Sequence, residues 1–331
     1  MFIVAILSSL LFMFSLCSQE TFKVVVLGCH GGPKENNLSG YLIAPKGSND
    51  YIALDAGTLL DGIFLAVQNN CFSDIKTDPN SDLSLELDVL RNHVKAYLIS
   101  HGHLDHVAGL VINSTADVKK PIFGIDSTID MIRDNLFNWQ TWPNFGSEGK
   151  KPLINQYQYQ RMKVAKQVSI PSTAMTAEPF YLSHPNGYLS TAFIIESSGS
   201  YAVYFGDTSP DVLEPEKRIK AVWNRIAPLI AQKKLRAIFL ECSYPSSRPD
   251  GKLFGHLNPK YMLEELRSLA RLVNPNSPQT ALKDIKVVVT HIKDSLLKGD
   301  SAQQSIEREL EKGNDLNIQF IFPRQGEMLE L

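Results

Sequence analysis

The chain alternates short apolar runs with amphipathic stretches from residue 22 to its end. Nine runs are rich in β-branched or aromatic residues and apolar at most positions, which is typical of strands covered on both faces. They lie at 22–28, 51–57, 95–100, 121–125, 191–197, 201–207, 236–243, 285–291 and 318–323. The pattern therefore predicts sheets that are sandwiched between other layers.

Helical periodicity appears between several of these runs. Three segments carry an apolar stripe at helical spacing, namely 215–235, 259–273 and 301–312. The second of them opens with Pro259, a residue suited to the first helical position. Interleaved strands and helices predict a mixed α/β fold of layered sheets and helices.

The stretch from about 126 to 182 has a different composition, rich in aromatic and amide side chains such as "NLFNWQTWPNFG" and "NQYQYQRM". We interpret it as a helical and aromatic insertion in the α/β domain. It forms either a lid over a ligand site or a surface insertion with its own small core. Its aromatic faces include Trp139, Trp142, Phe145 and Tyr157. These either stack on a ligand ring or serve as core and dimer contacts.

The first 16 residues, "MFIVAILSSLLFMFSL", are apolar or small and are followed by "CSQETFKV". Such a run is short for a membrane span and has the features of the apolar core of a secretory signal. We expect a signal peptide over 1–18, a single domain over 20–331, and an exported protein, periplasmic or secreted, without stable membrane insertion. The alternatives are a lipid anchor at Cys17 and a buried N-terminal element of a cytoplasmic protein.

Composition limits the classes of partner. Hydrophobic residues make up 44% of the 331 positions, enough for a sizeable core, and the net charge is −2. Without a long basic block, the chain does not have the features of a nucleic-acid binder. A small anionic ligand stays compatible, because a bound metal supplies positive charge. Cys29, Cys71 and Cys242 are far apart and form no CxxC pair, which argues against a cysteine-based zinc site.

Polar side chains follow many of the apolar runs directly. They are Asp55, His101, His103, Asp105, His106, Asp207, Glu241 and His291. Strand ends in layered α/β proteins are where ligand-binding loops gather. A scaffold that ends repeatedly in Asp or His predicts a metal site assembled from distant segments.

The densest cluster is "HGHLDH" at 101–106, which holds three of the eight histidines of the chain. On a tight loop, His101 and His103 can face one ion, while Asp105 and His106 face a second. Gly102 lets the backbone bend close to the metals. Imidazole nitrogens suit zinc and its neighbours, and carboxylates suit harder ions. A solvated polar loop is the alternative.

This cluster resembles the H-x-H-x-D-H signature of the metallo-β-lactamase fold, a four-layer αββα sandwich. In chain order, the later ligands of that fold match His184 in "YLSHPNGY", Asp207 in "YFGDT" and His291 in "VVTHIK". Asp55 in "LDAGT" matches the early Asp that supports the ligands without binding metal itself. The matching motifs span residues 55 to 291.

A narrower resemblance points to one family. "HGHLDHVAGLVINS" is similar to the signature of the class II cyclic-nucleotide phosphodiesterases, and departs from it at Thr115, where Ala or Pro is usual. "LGCHGGPKENNLSGYLI" and "FNWQTWPNF" are also similar to this family. The resemblance implies hydrolysis of 3′,5′-cyclic nucleotides, cAMP or cGMP or both, to nucleoside 5′-monophosphates by a hydroxide held between two divalent metal ions.

The resemblance also implies a role for each site residue. The first ion would be bound by His101, His103 and His184, and the second by Asp105, His106 and His291, with Asp207 bridging both. His256 would give a proton to the leaving oxygen and Glu241 would orient it, so the expected catalytic residues are Asp105, His256 and Glu241. A surface-loop role is the alternative for His256. We expect zinc, with manganese or iron as alternatives.

Two other functions remain as alternatives. One is a different hydrolase of the same fold, acting on another phosphodiester or a nucleic acid, or less readily on a lactam or thioester. The other is a secreted nucleotide-binding protein without catalysis. A homodimer is compatible with either function.

Overall fold

The computed structural model describes residues 21–296, 298–299 and 301–331. The expected signal peptide and Cys17 therefore lie outside the described residues. Within the described part of the chain, fourteen strands form two sheets of seven strands each. The strands are β1 Phe22–Gly28, β2 Gly40–Pro45, β3 Tyr51–Leu54, β4 Val94–Leu98, β5 Lys120–Gly124, β6 Tyr157–Arg161, β7 Val168–Ser169, β8 Thr176–His184, β9 Tyr188–Ser197, β10 Ser200–Phe205, β11 Leu235–Glu241, β12 Lys286–Thr290, β13 Gln319–Ile321 and β14 Met328–Glu330.

Eight α-helices are found in the same described ranges. They are α1 Leu60–Gln68, α2 Leu85–Asp88, α3 Leu104–Asn113, α4 Asp126–Met131, α5 Arg218–Ala231, α6 Pro259–Val273, α7 Pro278–Ala281 and α8 Ala302–Gly313. Single turns of π-helix, Val89–His93 and Ile132–Leu136, continue α2 and α4. None of the helices in this part of the chain is both long and apolar enough to cross a membrane.

Each sheet has an antiparallel half and a parallel half. The first has the strand order β14-β1-β2-β3-β4-β5-β6, with parallel pairing from β3 to β6. The second has the order β13-β12-β11-β10-β9-β8-β7, with parallel pairing from β10 to β13. Because parallel neighbours end at the same edge of a sheet, the loops after these strands gather there.

Alternation along the strands separates the layers. Val24 and Val26 belong to a core between the two sheets, whereas Val25 and Leu27 face a second core beneath helices. Helices α1, α3 and α4 cover the first sheet, and α5, α6 and α8 cover the second. The four-layer αββα architecture that the motif implied is therefore confirmed.

The apolar runs predict the strands well. All nine coincide with strands, and the three helical patterns coincide with α5, α6 and α8. The segment 126–182, which we expected to be an insertion, differs from that expectation. Its residues 157–161 form β6 in the first sheet, and β8 of the second sheet begins at residue 176. The irregular part is thus shorter, and "YQYQR" forms an edge strand in which Tyr157 and Tyr159 are buried while Gln160 and Arg161 are exposed.

Candidate metal centre

The residues predicted as metal ligands converge where strand ends of both sheets meet. Their positions follow from the elements before them: His101 and His103 in the loop after β4, Asp105 and His106 in the first turn of α3, His184 at the end of β8, Asp207 two residues after β10, and His291 directly after β12. All except His103 and Asp105 are buried. Seven side chains that are distant in the chain therefore share one site.

These side chains form two overlapping groups. In each group, one possible ligand atom per residue lies within 4.8 Å of the others. The first group is His101, His103, His184 and Asp207, and the second is Asp105, His106, Asp207 and His291. The division matches the one that the resemblance implied, with Asp207 shared by both groups.

The carboxylate of Asp207 directs one oxygen to each group. Its Oδ2 lies 3.6 Å from Nε2 of His101 and 3.8 Å from Nε2 of His184. Its Oδ1 lies 3.2 Å from Nε2 of His106 and 3.3 Å from Nε2 of His291. A carboxylate oriented in this way is able to bridge two cations.

Asp55 supports the centre from below. Its Oδ2 lies 2.7 Å from Nδ1 of His106 and accepts hydrogen bonds from the hydroxyls of Ser100, at 2.7 Å, and Tyr204, at 2.6 Å. Its Oδ1 accepts from the backbone N–H of Ser100. A carboxylate on the far nitrogen of an imidazole fixes its tautomer and leaves Nε2 free for a metal.

The other buried imidazoles are oriented in the same manner. Each Nδ1 has an oxygen within 3.0 Å: Ser100 Oγ for His101, the carbonyl of Gly255 for His184, and Ser243 Oγ for His291. The ring of His103 instead stacks on Tyr188, with centroids 4.8 Å apart. The four buried rings thus present Nε2 to the centre.

Three buried atoms of the site have no well-aligned hydrogen bond within the described residues, although Nε2 of His106 and Oδ1 of Asp207 are 3.2 Å apart. They are Nε2 of His101, Nε2 of His106 and Oδ1 of Asp207. A buried polar atom without a partner is costly, and native proteins seldom leave one. A divalent cation bound by these atoms would remove that cost, so the donor set fits metal binding.

The charge states agree with this fit. Burial holds the pKa of His101 well below its ordinary value and lowers that of His184 to about 3, so both rings are neutral, as metal ligands must be. Burial opposes the ionised form of Asp105, but a hydrogen bond from His291 holds its pKa well below the usual range. For His106, burial is outweighed by Asp207 and Asp55, which raise its pKa well above normal. His106 thus differs from His101 and His184, and a metal ion bound at its Nε2 would replace the proton that these carboxylates favour.

His256 and Glu241 lie beside this cluster. Nδ1 of His256 is 3.0 Å from Oε1 of Glu241, and 3.8 Å from Oδ2 of Asp207. Burial lowers the pKa of His256, but the two carboxylates outweigh it and raise the pKa overall. Ser243 donates to the other oxygen of Glu241 at 2.9 Å. The structure thus brings the predicted proton donor and its orienting carboxylate to the edge of the centre.

Sequence reasoning missed several neighbours of the site. Tyr188 accepts a hydrogen bond from the backbone N–H of Gly102 at 3.3 Å, and Nζ of Lys293 lies 3.4 Å from Oδ2 of Asp105. Both residues lie in stretches that were quoted for their histidines, Tyr188 four residues after His184 and Lys293 two residues after His291, but neither was singled out. Gly31 gives a clearer signal, because a Cβ there would lie 2.4 Å from the ring of His291. Gly31, in the stretch "LGCHGGPKENNLSGYLI" that resembles the family, therefore allows the backbone to approach the ring of His291 closely.

The aromatic residues considered for base stacking lie elsewhere. Phe145 and Tyr157 are buried in the core of the first sheet, and Trp142 packs against it. The hydroxyl of Tyr157 bonds to Asp117, and the indole N–H of Trp139 donates to the carbonyl of Pro152. Of the two alternatives, the core role applies to Phe145, Tyr157 and Trp142.

Comparison with known proteins places this site in a family. The sequence profile described as "cAMP phosphodiesterases class-II" matches residues 21–326. A 3′,5′-cyclic-nucleotide phosphodiesterase of Aliivibrio fischeri is 38% identical over 328 residues, covering 98% of each chain. The cAMP/cGMP-dependent 3′,5′-cAMP/cGMP phosphodiesterase A of Dictyostelium discoideum is 30% identical over 384 residues, covering 94% of this chain and 81% of that protein.

Solved structures agree. Unliganded yeast PDE1 superposes with a TM-score of 0.78 at 25% identity, covering 94% of this chain and 100% of that one. The metallo-β-lactamase fold protein YhfI from Bacillus subtilis, at 17% identity and a TM-score of 0.58, covers 94% and 99% and supports the fold alone. The chain therefore belongs to the class II cyclic-nucleotide phosphodiesterase family and has the metallo-β-lactamase fold, which confirms both resemblances seen in its sequence.

Proposed function

We propose that this chain hydrolyses 3′,5′-cyclic nucleotides to nucleoside 5′-monophosphates at a centre of two divalent metal ions. The observation that carries the proposal is the orientation of Asp207, which directs one oxygen to each group of ligands. The first ion would be held by His101, His103 and His184, the second by Asp105, His106 and His291, and both by Asp207.

When bound, the two ions would supply an activated water and would offset the negative charge of the phosphodiester. The residues of the chain then fix geometry and move protons. Asp55 and the hydroxyls around it hold the imidazoles in one tautomer, so that little reorganisation accompanies the reaction. The ammonium of Lys293, close to Asp105, adds positive charge where the phosphate would lie.

Opening of the ring requires a proton for the 3′ oxygen that leaves phosphorus. Glu241 binds the Nδ1 side of His256 at 3.0 Å, which leaves Nε2 to carry the proton that is given. Its carboxylate stabilises the protonated ring and holds its orientation. His256 is therefore the general acid of the proposal and Glu241 is its positioning residue.

Zinc is the metal that we propose for the site, because five of its seven ligands are imidazoles. Manganese and iron are the alternatives. Elemental analysis of the purified protein identifies the metal, and add-back of zinc, manganese or iron to chelator-treated protein measures which ion restores turnover. Zinc would be discarded if only manganese or iron restored activity.

Product identification tests the proposed reaction. Metal-loaded full-length protein is incubated with cAMP, cGMP, a chromogenic phosphodiester and a β-lactam, with Asp207→Ala as the inactive control. We expect 5′-AMP and 5′-GMP, no 3′-isomers, and no lactam hydrolysis. Metal-loaded wild-type protein that binds cAMP without forming product would contradict the proposal and favour a binding protein.

We also propose export, based on the apolar leader at 1–18. The full-length chain is expressed in bacteria, and its N-terminus is determined by mass spectrometry in each cell fraction. A chain beginning near residue 19 in the periplasm or medium is the expected result, whereas a lipid on Cys17 would indicate an anchor. Uncleaved chain in the cytoplasm would contradict export. The homodimer stays a prediction, which light scattering tests.

A further inference from the structure

A cavity of about 530 Å³ adjoins the metal centre. It lies between the loops that follow β11 and β12 and the start of α8. Its lining includes Tyr244, Arg248, Lys252, Lys293, Asp294 and Glu309. The volume is within the range of pockets that bind small ligands.

Two residues join this cavity to the centre. Lys293 lines the cavity, and its Nζ is 3.4 Å from Oδ2 of Asp105. Tyr244 also lines it, and the ring of Tyr244 is 5.9 Å from that of His256. A substrate whose phosphate is bound at the metal ions therefore has room in this direction for its nucleoside.

Arg248 lies near two aromatic rings, of which Tyr244 also lines the cavity and Phe254 lies outside its lining. The guanidinium of Arg248 lies 4.0 Å from the ring centre of Tyr244 and 5.6 Å from that of Phe254. Its Nε donates to the carbonyl of Lys252 at 2.7 Å, which holds it in place. Arginine planes and aromatic rings are the surfaces on which nucleobases stack.

Phe254 itself is an unusual residue. Its side chain is 58% exposed although it is large and apolar, and its φ is +53°. Non-glycine residues in this region are strained and tend to occur at functional sites. Phe254 also lies two residues before His256, in the loop that delivers the proposed proton donor.

We propose that this cavity binds the nucleoside half of the substrate, with the base stacked on Arg248 and extending towards exposed Phe254. The inference rests on the proposed function and adds the substrate's contacts outside the metal centre. Because stacking does not distinguish one base from another, the site should accept adenine and guanine alike.

A second cavity, of about 630 Å³, is a weaker candidate for the nucleoside. It lies between α5 and α6 and is also basic, being lined by Lys217, Lys220, Arg267 and Arg271 among others. The first cavity is linked to the centre by Lys293, 3.4 Å from Asp105, and by Tyr244, beside His256, whereas none of the described residues that line the second makes such a contact. Arg271 therefore provides a matched arginine control.

Titration calorimetry of the metal-loaded protein tests the inference with two probes, 5′-AMP and ribose 5-phosphate, which differ in the base. We expect wild-type protein to prefer 5′-AMP. Arg248→Ala should weaken 5′-AMP binding by about 5- to 150-fold, the range for loss of one base-stacking partner, while ribose 5-phosphate binding changes less than about twofold. Phe254→Ala should have a smaller effect in the same direction.

Arg271→Ala should change neither affinity, and Arg248→Lys, which keeps the charge without the plane, should resemble Arg248→Ala. Metal content confirms that each variant retains the centre. Equal weakening of both probes, or an unchanged preference for 5′-AMP, would overturn the inference.

Turnover of cAMP by the same samples separates the two proposals. One outcome is that the wild type prefers 5′-AMP, loses this preference in Arg248→Ala, and yet does not hydrolyse cAMP. That outcome would refute the proposed function and would still support the nucleoside site. Hydrolysis of cAMP with an unaltered KM in Arg248→Ala would refute the nucleoside site alone.

Discussion

Oε1 of Glu241 lies 3.0 Å from Nδ1 of His256, and both side chains are buried at the edge of the metal centre. This contact holds the imidazole in one orientation and supports its protonated form. We expect His256→Ala to retain both metal ions and to lose about 10²- to 10⁴-fold in kcat, the usual contribution of a positioned acid. Steady-state kinetics and elemental analysis of the same preparation measure the two effects.

The pH profile of Glu241→Gln distinguishes a carboxylate that positions the proton donor His256 from one that only stabilises the fold. An amide in place of the carboxylate supports the imidazolium less well, so the pH at which kcat declines on the alkaline side should shift downward. His93→Ala is the control, because Nδ1 of His93 bonds to the carbonyl of Asn49, which is not a residue of the centre. His256→Ala protein with metal content and kcat like those of the wild type would remove His256 from the mechanism.

Three residues, Ser100, His106 and Tyr204, form hydrogen bonds with Asp55 beneath the metal ligands. Asp55→Asn disturbs these hydrogen bonds while barely changing the volume of the side chain. Nδ1 of His106 and the hydroxyl of Tyr204 would then compete for one remaining oxygen. Loss of such a partner weakens metal affinity by about 10- to 100-fold. Competition with a chromogenic chelator measures the affinity, and exposed Asp61→Asn is the control. An unchanged affinity would show that Asp55 does not orient the ligands.

Removal of the metal should destabilise the folded protein. After a chelator has removed the metal, the centre retains ionised Asp105 and Asp207 together with unpartnered imidazole nitrogens. A ligand that binds the folded state adds about 2.7 kcal/mol to the free energy of unfolding when its concentration is a hundredfold above its Kd. We expect a lower Tm after chelation, restored by zinc.

The Asp207→Asn variant tests the cause of that loss. It should bind less metal and respond less to the chelator than wild-type protein does. Exposed Asp315→Asn should respond as the wild type does. A Tm that is indifferent to chelation in wild-type protein would show that the ions contribute little to stability.

The strands and the 101–106 cluster could be predicted because their signals are local. Runs such as "KVVVL" in β1 and "KVVVT" in β12 are apolar at successive positions, which marks strands buried on both faces. His101 to His106 are adjacent in sequence, so their shared role needs no knowledge of tertiary contacts. His291 was connected to them by its position directly after an apolar run, and His184 only by resemblance to a family.

Contacts between residues that are distant in the chain left no local signal in the sequence. Tyr204 reaches Asp55 from the opposite sheet, across 149 positions of sequence. The aromatic residues Phe145 and Tyr157 were open to two interpretations, because a ring that stacks on a ligand and a ring that fills a core have the same local pattern. Arg248 and Phe254 were missed since their stacking depends on how the loop after β11 folds.

The pH dependence of stability should reveal a buried carboxyl outside the centre. Glu265 in α6 accepts hydrogen bonds from the backbone N–H of Asp211, at 2.8 Å, and the indole of Trp223, at 3.1 Å. Burial and then the charge of Asp211 raise the pKa of Glu265 above 4.5. A raised folded-state pKa gives stability that is complete below the unfolded pKa and is lost as pH rises through the folded pKa.

Glu265→Gln does not titrate, so its unfolding free energy minus that of the wild type should be more positive at about pH 7.5 than at about pH 5 in urea denaturation. Exposed Glu264→Gln should show a constant difference, and a constant difference for Glu265→Gln as well would contradict the raised pKa.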